Sequence, residues 1–336
     1  MQVFRSLDEI APERRPSTVT VGSFDGIHRA HQELLRLVRE RAARQGAVSV
    51  AVTFDPHPLA VLAPEKAPRL LTPLPMKLEL LAQSGIDQLL VLPFTPEFSR
   101  WPPERFVEEV LVRALHTESV VVGDNFRFGH RQAGTPQMLE ELGRRWNFRT
   151  EILPKIIVRN RAVSSSQIRR LLEDGKVAAA NRLLGRPYCI RGPIERGLGI
   201  GKRQTVPTFN LGEYPGQIPS RGVYISWARL RMQDKDSSGP AALSPPLRSV
   251  TNVGHRPTFG ERELGVETHL LEGAAGLAAD PAPSLLEIGF LYRLREERKF
   301  DSPEQLRLQI LGDIGRAQAY FRRLEAAGIL HKQSFS

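Results

Sequence analysis

At 336 residues the chain is long enough for two ordinary domains, and 41% hydrophobic with 25% charged residues is the balance of a globular protein with a sizeable core. No apolar run is long enough to span a bilayer, the first residues lack the apolar stretch of a signal peptide, and a single cysteine, Cys189, excludes an internal disulfide and fits a reducing cytoplasm. The net charge of +10 comes from arginines scattered among acidic residues, with 7% aromatics and no stacking motif, so it reads as a field for anionic nucleotides and a nucleic-acid partner is not expected.

The first expected strand alternates Val19 and Val21 with Thr18 and Thr20 and runs into a turn, Gly22-Ser-Phe-Asp-Gly26. Gly22 and Gly26 free that turn for unusual backbone angles and close approach of a ligand. A helix over 31–44 follows, with Leu34, Leu35 and Val38 on its apolar face and His28 and His31 at its head. A helix start offers unpaired N–H groups and the positive end of a dipole, which suits a phosphate. Imidazoles at i and i+3 share a face and can both donate to one phosphate group. This reads as a nucleotide site without a Walker-type loop; a plain strand-to-helix connection with two surface histidines is the bland alternative. A metal site has no Cys cluster or HExxH pattern to support it.

Further strands are expected at 48–54, 88–92 and 119–122, with helices at 76–84, 104–116 and 136–146. Short Val-rich runs between amphipathic helices imply a parallel sheet covered on both faces, with ligands beyond the carboxyl ends of its strands. The Gly22 turn, Asp55-Pro-His-Pro58 and Gly123-Asp-Asn-Phe-Arg-Phe-Gly129 all fall at that edge. From Val163 the pattern changes: serines 164–166 stand at cap positions before a helix carrying Ile168, Leu171 and Leu172, and a second helix over 177–184 stops at Gly185. Short β-rich pieces at 223–227, 247–253, 266–271 and 285–291 then suggest a small antiparallel barrel, with 233–246 as a flexible excursion. A last helix over 303–326 is expected to pack on it, which gives domains at 1–184 and 185–330.

Four segments occur in one order: Gly22-Ser-Phe-Asp-Gly-Ile-His-Arg-Ala-His31, Thr53-Phe-Asp-Pro-His-Pro58, Gly123 to Gly129, and Val163-Ser-Ser-Ser-Gln-Ile-Arg169. Together they resemble the FMN adenylyltransferase module of the bacterial bifunctional riboflavin kinase/FAD synthetase family, departing at Ala30, where the family usually has glycine. The resemblance implies a Rossmann-like nucleotidyltransferase domain that moves AMP from ATP to FMN. On its ATP side it implies Gly22, Phe24, Asp25, Gly26, His28 and His31, joined by Arg161, Ser164, Ser165 and Arg169. Asp55, His57, Asn125 and Arg131 would stand on the FMN side. The FMN phosphate is then the nucleophile, and the protein supplies position and charge.

The second half resembles the family's riboflavin kinase module through Gly185-Arg-Pro-Tyr188, Pro207-Thr-Phe-Asn210, Arg221-Gly-Val-Tyr224, Asn252-Val-Gly-His-Arg-Pro-Thr258, Val266-Glu-Thr-His269 and Arg295-Glu-Glu-Arg-Lys-Phe300. The resemblance implies three roles: Thr208 and Asn210 on Mg²⁺ and the ATP phosphates, Glu267 as general base, and Gly201, Lys202, Pro207, Arg295 and Glu297 around nucleotide and flavin. Gln204, Thr205, Val206 and Phe209 depart from the family's phosphate loop, and 273–283 stands where it has Leu-Tyr-Gly. These departures leave open an adenylyltransferase whose kinase module is only a scaffold or flavin-binding domain. A non-enzymatic basic regulator on the same fold is the third reading. The expected substrates are riboflavin, FMN and ATP with Mg²⁺; no oligomeric state is read from the sequence.

Overall fold

The computed structural model describes residues 1–10, 15–195, 208–232, 243–255, 264–272 and 283–328. It divides into two units, Met1–Ser165 and Ser166–Ser336.

In the first unit, Val- and Leu-rich runs with both faces buried pair side by side. The elements are β1 (Gln2–Phe4), β2 (Ser17–Val21), α1 (Arg29–Gln45), β3 (Val48–Asp55), α2 (Pro58–Leu62), α3 (Leu74–Gln83) and β4 (Gln88–Pro93), then α4 (Pro103–Phe106), β5 (Thr117–Gly123), α5 (Pro136–Trp146), β6 (Arg149–Leu153) and a small hairpin of β7 (Ile157–Val158) and β8 (Arg161–Ala162). The main sheet has the order β1-β4-β3-β2-β5-β6, and every pairing in it is parallel. Alternation sends Val50, Val52, Leu90, Leu92, Val120 and Val122 to one core and Ala51, Leu89, Val91 and Val121 to the other. The second core is closed by Leu34, Leu35 and Val38 of α1. The expected helix over 104–116 takes another form: after α4 the chain winds as a π-helix over Val107–Ala114. The wider winding still buries Val107, Val110 and Leu111, so the apolar spacing alone does not separate it from an α-helix.

The second unit continues α6 (Ser165–Glu173) into α7 (Val177–Leu184), β9 (Tyr188–Glu195), β10 (Thr208–Leu211), β11 (Gly222–Met232), β12 (Leu247–His255), β13 (Leu264–Leu270), β14 (Pro283–Arg295) and α8 (Pro303–Ala326). Its strands close a six-stranded antiparallel barrel in the order β10-β13-β12-β11-β14-β9. One set of alternate residues points inward. Ser226, Ser249, Thr251 and Thr268 are fully buried there and linked by hydroxyl hydrogen bonds of 2.7 to 2.9 Å, which satisfies each polar group away from water. The other set faces outward, where Val223, Ile225, Trp227 and Val250 pack with Ala317 and Phe321 of α8. The unit division precedes the expected boundary at 184 because α7 packs on the barrel: the Asn181 amide donates to the Phe290 carbonyl at 2.7 Å.

Candidate active sites

The strand order of the sheet reverses between β2 and β5, since β3, β4 and β1 lie to one side and β6 to the other. That reversal opens a crevice at the carboxyl ends of β2 and β5. After β2 the backbone enters the left-handed region at Phe24, Gly26 and Ile27, with φ of 47°, 84° and 38°. Such a turn persists only when its surroundings determine it. Phe24 and Ile27 are sunk in the core against α1, and the Asp25 carboxylate accepts the N–H groups of Leu71 at 3.1 Å and Thr72 at 3.0 Å.

His28 then caps α1, its Nδ1 accepting from the His31 N–H at 3.4 Å. An accepting Nδ1 puts the proton of a neutral His28 on Nε2. The two rings stack at 3.7 Å with 14° between their planes, and the edge of Phe24 meets His31 at 5.2 Å. The β7–β8 hairpin turns through Arg159 and Asn160, both with positive φ, and returns to Ser164 and Ser165. The Ser165 hydroxyl donates to the Asp25 carbonyl at 2.8 Å, which joins the fourth motif to the first. Arg161 is exposed beside them, while Arg169 belongs to the second unit.

On the other face of the edge, Phe54 and Phe126 are half-buried members of an aromatic group with Phe94, Phe98, Trp101, Phe106 and Phe128. Asp55 and Asn125 are exposed at the ends of β3 and β5, and Arg131 is exposed with φ of 51°. His57 caps α2 by accepting the Leu59 N–H at 3.2 Å, so it has a structural task whatever else it does.

On the barrel, register brings three of the sequence candidates, Thr208, Asn210 and Glu267, to one face of the wall. Thr208 pairs with His269, Asn210 with Glu267, and Glu267 in turn with Asn252. All stand on the outward side, because Val250, which is opposite His269, packs beneath α8. Thr208 Oγ1 and His269 Nδ1 are 2.7 Å apart. Burial lowers the His269 pKa, and the neighbouring Glu267 opposes that shift. Glu297 completes the strip: it accepts the His255 N–H at 3.1 Å and its carboxylate fills the space where a Gly254 side chain would begin, next to the Asn252 amide. Arg295 donates at 2.9 Å to the buried Asp313, which also takes Gln309 and Arg316. Phe209 points the opposite way from Thr208 and Asn210, on the inward side with Leu211 and Thr268. Gly201, Lys202, Pro207, Gln204, Thr205 and Val206 lie outside the described residues, as do 233–242 of the expected excursion.

Residues 10–167 match the FAD synthetase family and residues 184–321 the riboflavin kinase family. A bifunctional riboflavin kinase/FMN adenylyltransferase of Pseudomonas fluorescens is 33% identical over 320 residues, covering 95% of this chain and 97% of the relative. The chain belongs to that bifunctional family. The Escherichia coli K12 relative of the same description is 30% identical over 322 residues, covering 96% of this chain and 98% of its own. A crystal structure described as a macrolide-efflux protein from Streptococcus pneumoniae superimposes with a TM-score of 0.79 at 26% identity, covering 94% of this chain and 98% of that one. Among the described residues of this family member, no helix is long and apolar enough to cross a membrane.

Sequence reasoning did not single out Asn252 or His269, although both lie in quoted motifs. The signal was two-residue alternation read across paired strands, which needs the register. Lys77, buried on α3, also escaped notice, because a lysine in an amphipathic helix ordinarily reads as solvent-facing.

Proposed function

We propose that the chain phosphorylates riboflavin to FMN on the outer barrel wall and adenylylates FMN to FAD at the edge of the parallel sheet, using ATP for both. The observation that carries this reading is the 2.8 Å bond from Ser165 to Asp25, which gathers the first and fourth motifs around the stacked histidines at the switch point of the sheet. The functional boundary is assigned at 184/185, at the start of the riboflavin kinase match, which begins at residue 184.

For adenylyl transfer, an FMN phosphate oxygen attacks the α-phosphorus of ATP as the bond to the bridging oxygen breaks and pyrophosphate leaves. No covalent enzyme intermediate is required. His28 and His31 donate to the triphosphate where negative charge gathers, in a rigid site that needs no rearrangement during reaction. Ser164, Ser165 and Arg161 join from the hairpin side. The half-buried rings of Phe54 and Phe126 offer a stacking surface for the isoalloxazine, with Asn125 and Arg131 near its phosphate end.

For phosphorylation, the Glu267 carboxylate takes the proton of the terminal ribityl hydroxyl, whose oxygen attacks the γ-phosphorus as ADP departs. His269, held neutral by burial, fixes the Thr208 hydroxyl through its Nδ1. The Thr208 hydroxyl and Asn210 amide are neutral, hard oxygen donors two positions apart on one face, which fits a Mg²⁺ that keeps waters and substrate phosphates as its other ligands. When bound, such an ion neutralises charge on the transferred phosphoryl group. Glu297 is placed to position substrate rather than metal. The partners in this reading are small molecules, in the cytoplasm, without nucleic acid or membrane.

The test is to incubate the full chain with riboflavin and Mg-ATP and separate the products. FMN and then FAD are expected; FAD formed only from added FMN would remove the kinase half of the proposal.

A further inference from the structure

Lys77 lies in the first turn of α3 and is only 3% exposed. Lysines are almost never buried to this degree unless paired. Yet among the described residues its ammonium has no hydrogen bond and no ion pair. Asp25 and Asp55 are the acidic groups whose field reaches it, and burial outweighs their attraction. Neither is drawn into contact: Asp25 already accepts the N–H groups of Leu71 and Thr72, and Asp55 stands exposed at the end of β3. Nothing in the packing calls for a charge at this position. The same helix contributes Leu74, Leu78 and Leu81 to the core.

A partially dehydrated cation without a partner costs stability in the free protein and interacts strongly with any anion that reaches it. Its neighbours, Asp25 and Asp55, sit at the carboxyl ends of β2 and β3. That is the edge at which two phosphate-bearing substrates meet in the adenylyl-transfer reading. We propose that Lys77 is a further substrate-binding residue of this site, its ammonium contacting a phosphate group of a bound nucleotide substrate. The inference rests on the assignment of adenylyl transfer to this edge. Lysine suits the task as a compact point charge that needs no bidentate geometry. The phosphate is that of ATP or of FMN, which have the same chemistry at this contact.

The test compares full-length Lys77→Met and His28→Ala with the parent chain. FAD formation is measured while ATP and FMN are varied separately, alongside ATP and FMN binding by calorimetry, riboflavin phosphorylation and thermal unfolding. For Lys77→Met, the KM and dissociation constant of one substrate should rise about ten- to hundredfold, the range expected for a lost charge-assisted hydrogen bond. The substrate affected, ATP or FMN, identifies the phosphate. Riboflavin phosphorylation should be unchanged and the unfolding temperature unchanged or higher, because an unpaired buried charge has gone. Unaltered KM values for both substrates would overturn the proposal. So would a lower unfolding temperature with equal loss of both activities, which would mark Lys77 as a structural bridge between Asp25 and Asp55. If His28→Ala retained full FAD formation, the site assignment itself would fall, and the Lys77 proposal with it.

Discussion

The edge of the parallel sheet and the outer wall of the barrel, the two sites proposed for related phosphate chemistry, are built by different mechanical means. At the sheet edge, side chains are delivered by a turn and a helix cap, and their precision comes from what is sunk beneath them: Phe24 and Ile27 in the core, and the Asp25 carboxylate on two backbone N–H groups. On the barrel wall, Thr208, Asn210, Asn252, Glu267 and His269 are delivered by three strands, and their precision comes from register. A loop site is therefore damaged locally when an anchor is lost. A strand site fails as a whole when a strand slips, because a one-residue shift turns every side chain to the other face.

The comparison can be broken or sharpened in order of expected effect. Glu267→Ala should lower FMN formation by about 10²- to 10⁴-fold, the span of general-base catalysis, and leave FAD formation from added FMN intact. His28→Ala should do the reverse, lowering FAD formation by about 10²- to 10³-fold, the scale of one lost donor to developing charge. If either folded variant lost both activities, the two sites would not be independent. A smaller effect is expected from Gly254→Val. Its side chain must displace the Glu297 carboxylate, so the KM for riboflavin or ATP in phosphorylation should rise about tenfold. Steady-state FAD synthesis from FMN is the internal control.

The smallest effect is a pH dependence. Burial holds His269 below its ordinary pKa, so between the folded value and about 6.5 the unfolded chain binds more protons than the folded one. The stability contributed by neutral His269 is complete above about 6.5 and is lost as pH falls through the folded value. The barrel should therefore unfold at a lower temperature at about pH 5.5 than at about pH 7.5, and His269→Gln should flatten that slope. An unchanged slope in the variant would place the titration elsewhere.

Much of this architecture was legible because its signals are local. Pro136–Trp146, Val177–Leu184 and Pro303–Ala326 emerge with the expected ends, each opened or closed by Pro, Gly or a capping residue. The meeting of His28 and His31 was legible for the same reason, since they are three residues apart on one turn of chain. What was missed depends on distant partners. Strand β9 contains Gly192 and Pro193, which argue against a strand until β14 and β10 are seen pairing with it. Strand β1 is too short to show alternation and takes its place from β4. The ion pair of Arg295 was not legible either, because it depends on Asp313, eighteen positions further along.

The ring of Phe209 carries a wider consequence. Although it sits between Thr208 and Asn210 in the chain, it faces the barrel interior, toward the side of Leu211 and Thr268. Along such a strand, inward and outward residues form two interleaved texts, one read by the core and the other, in the proposed reading, by the substrate. An amino acid can be exchanged in the first without altering a letter of the second. Departure from a motif at that position is thus a statement about volume, and its cost is recorded in melting behaviour before turnover.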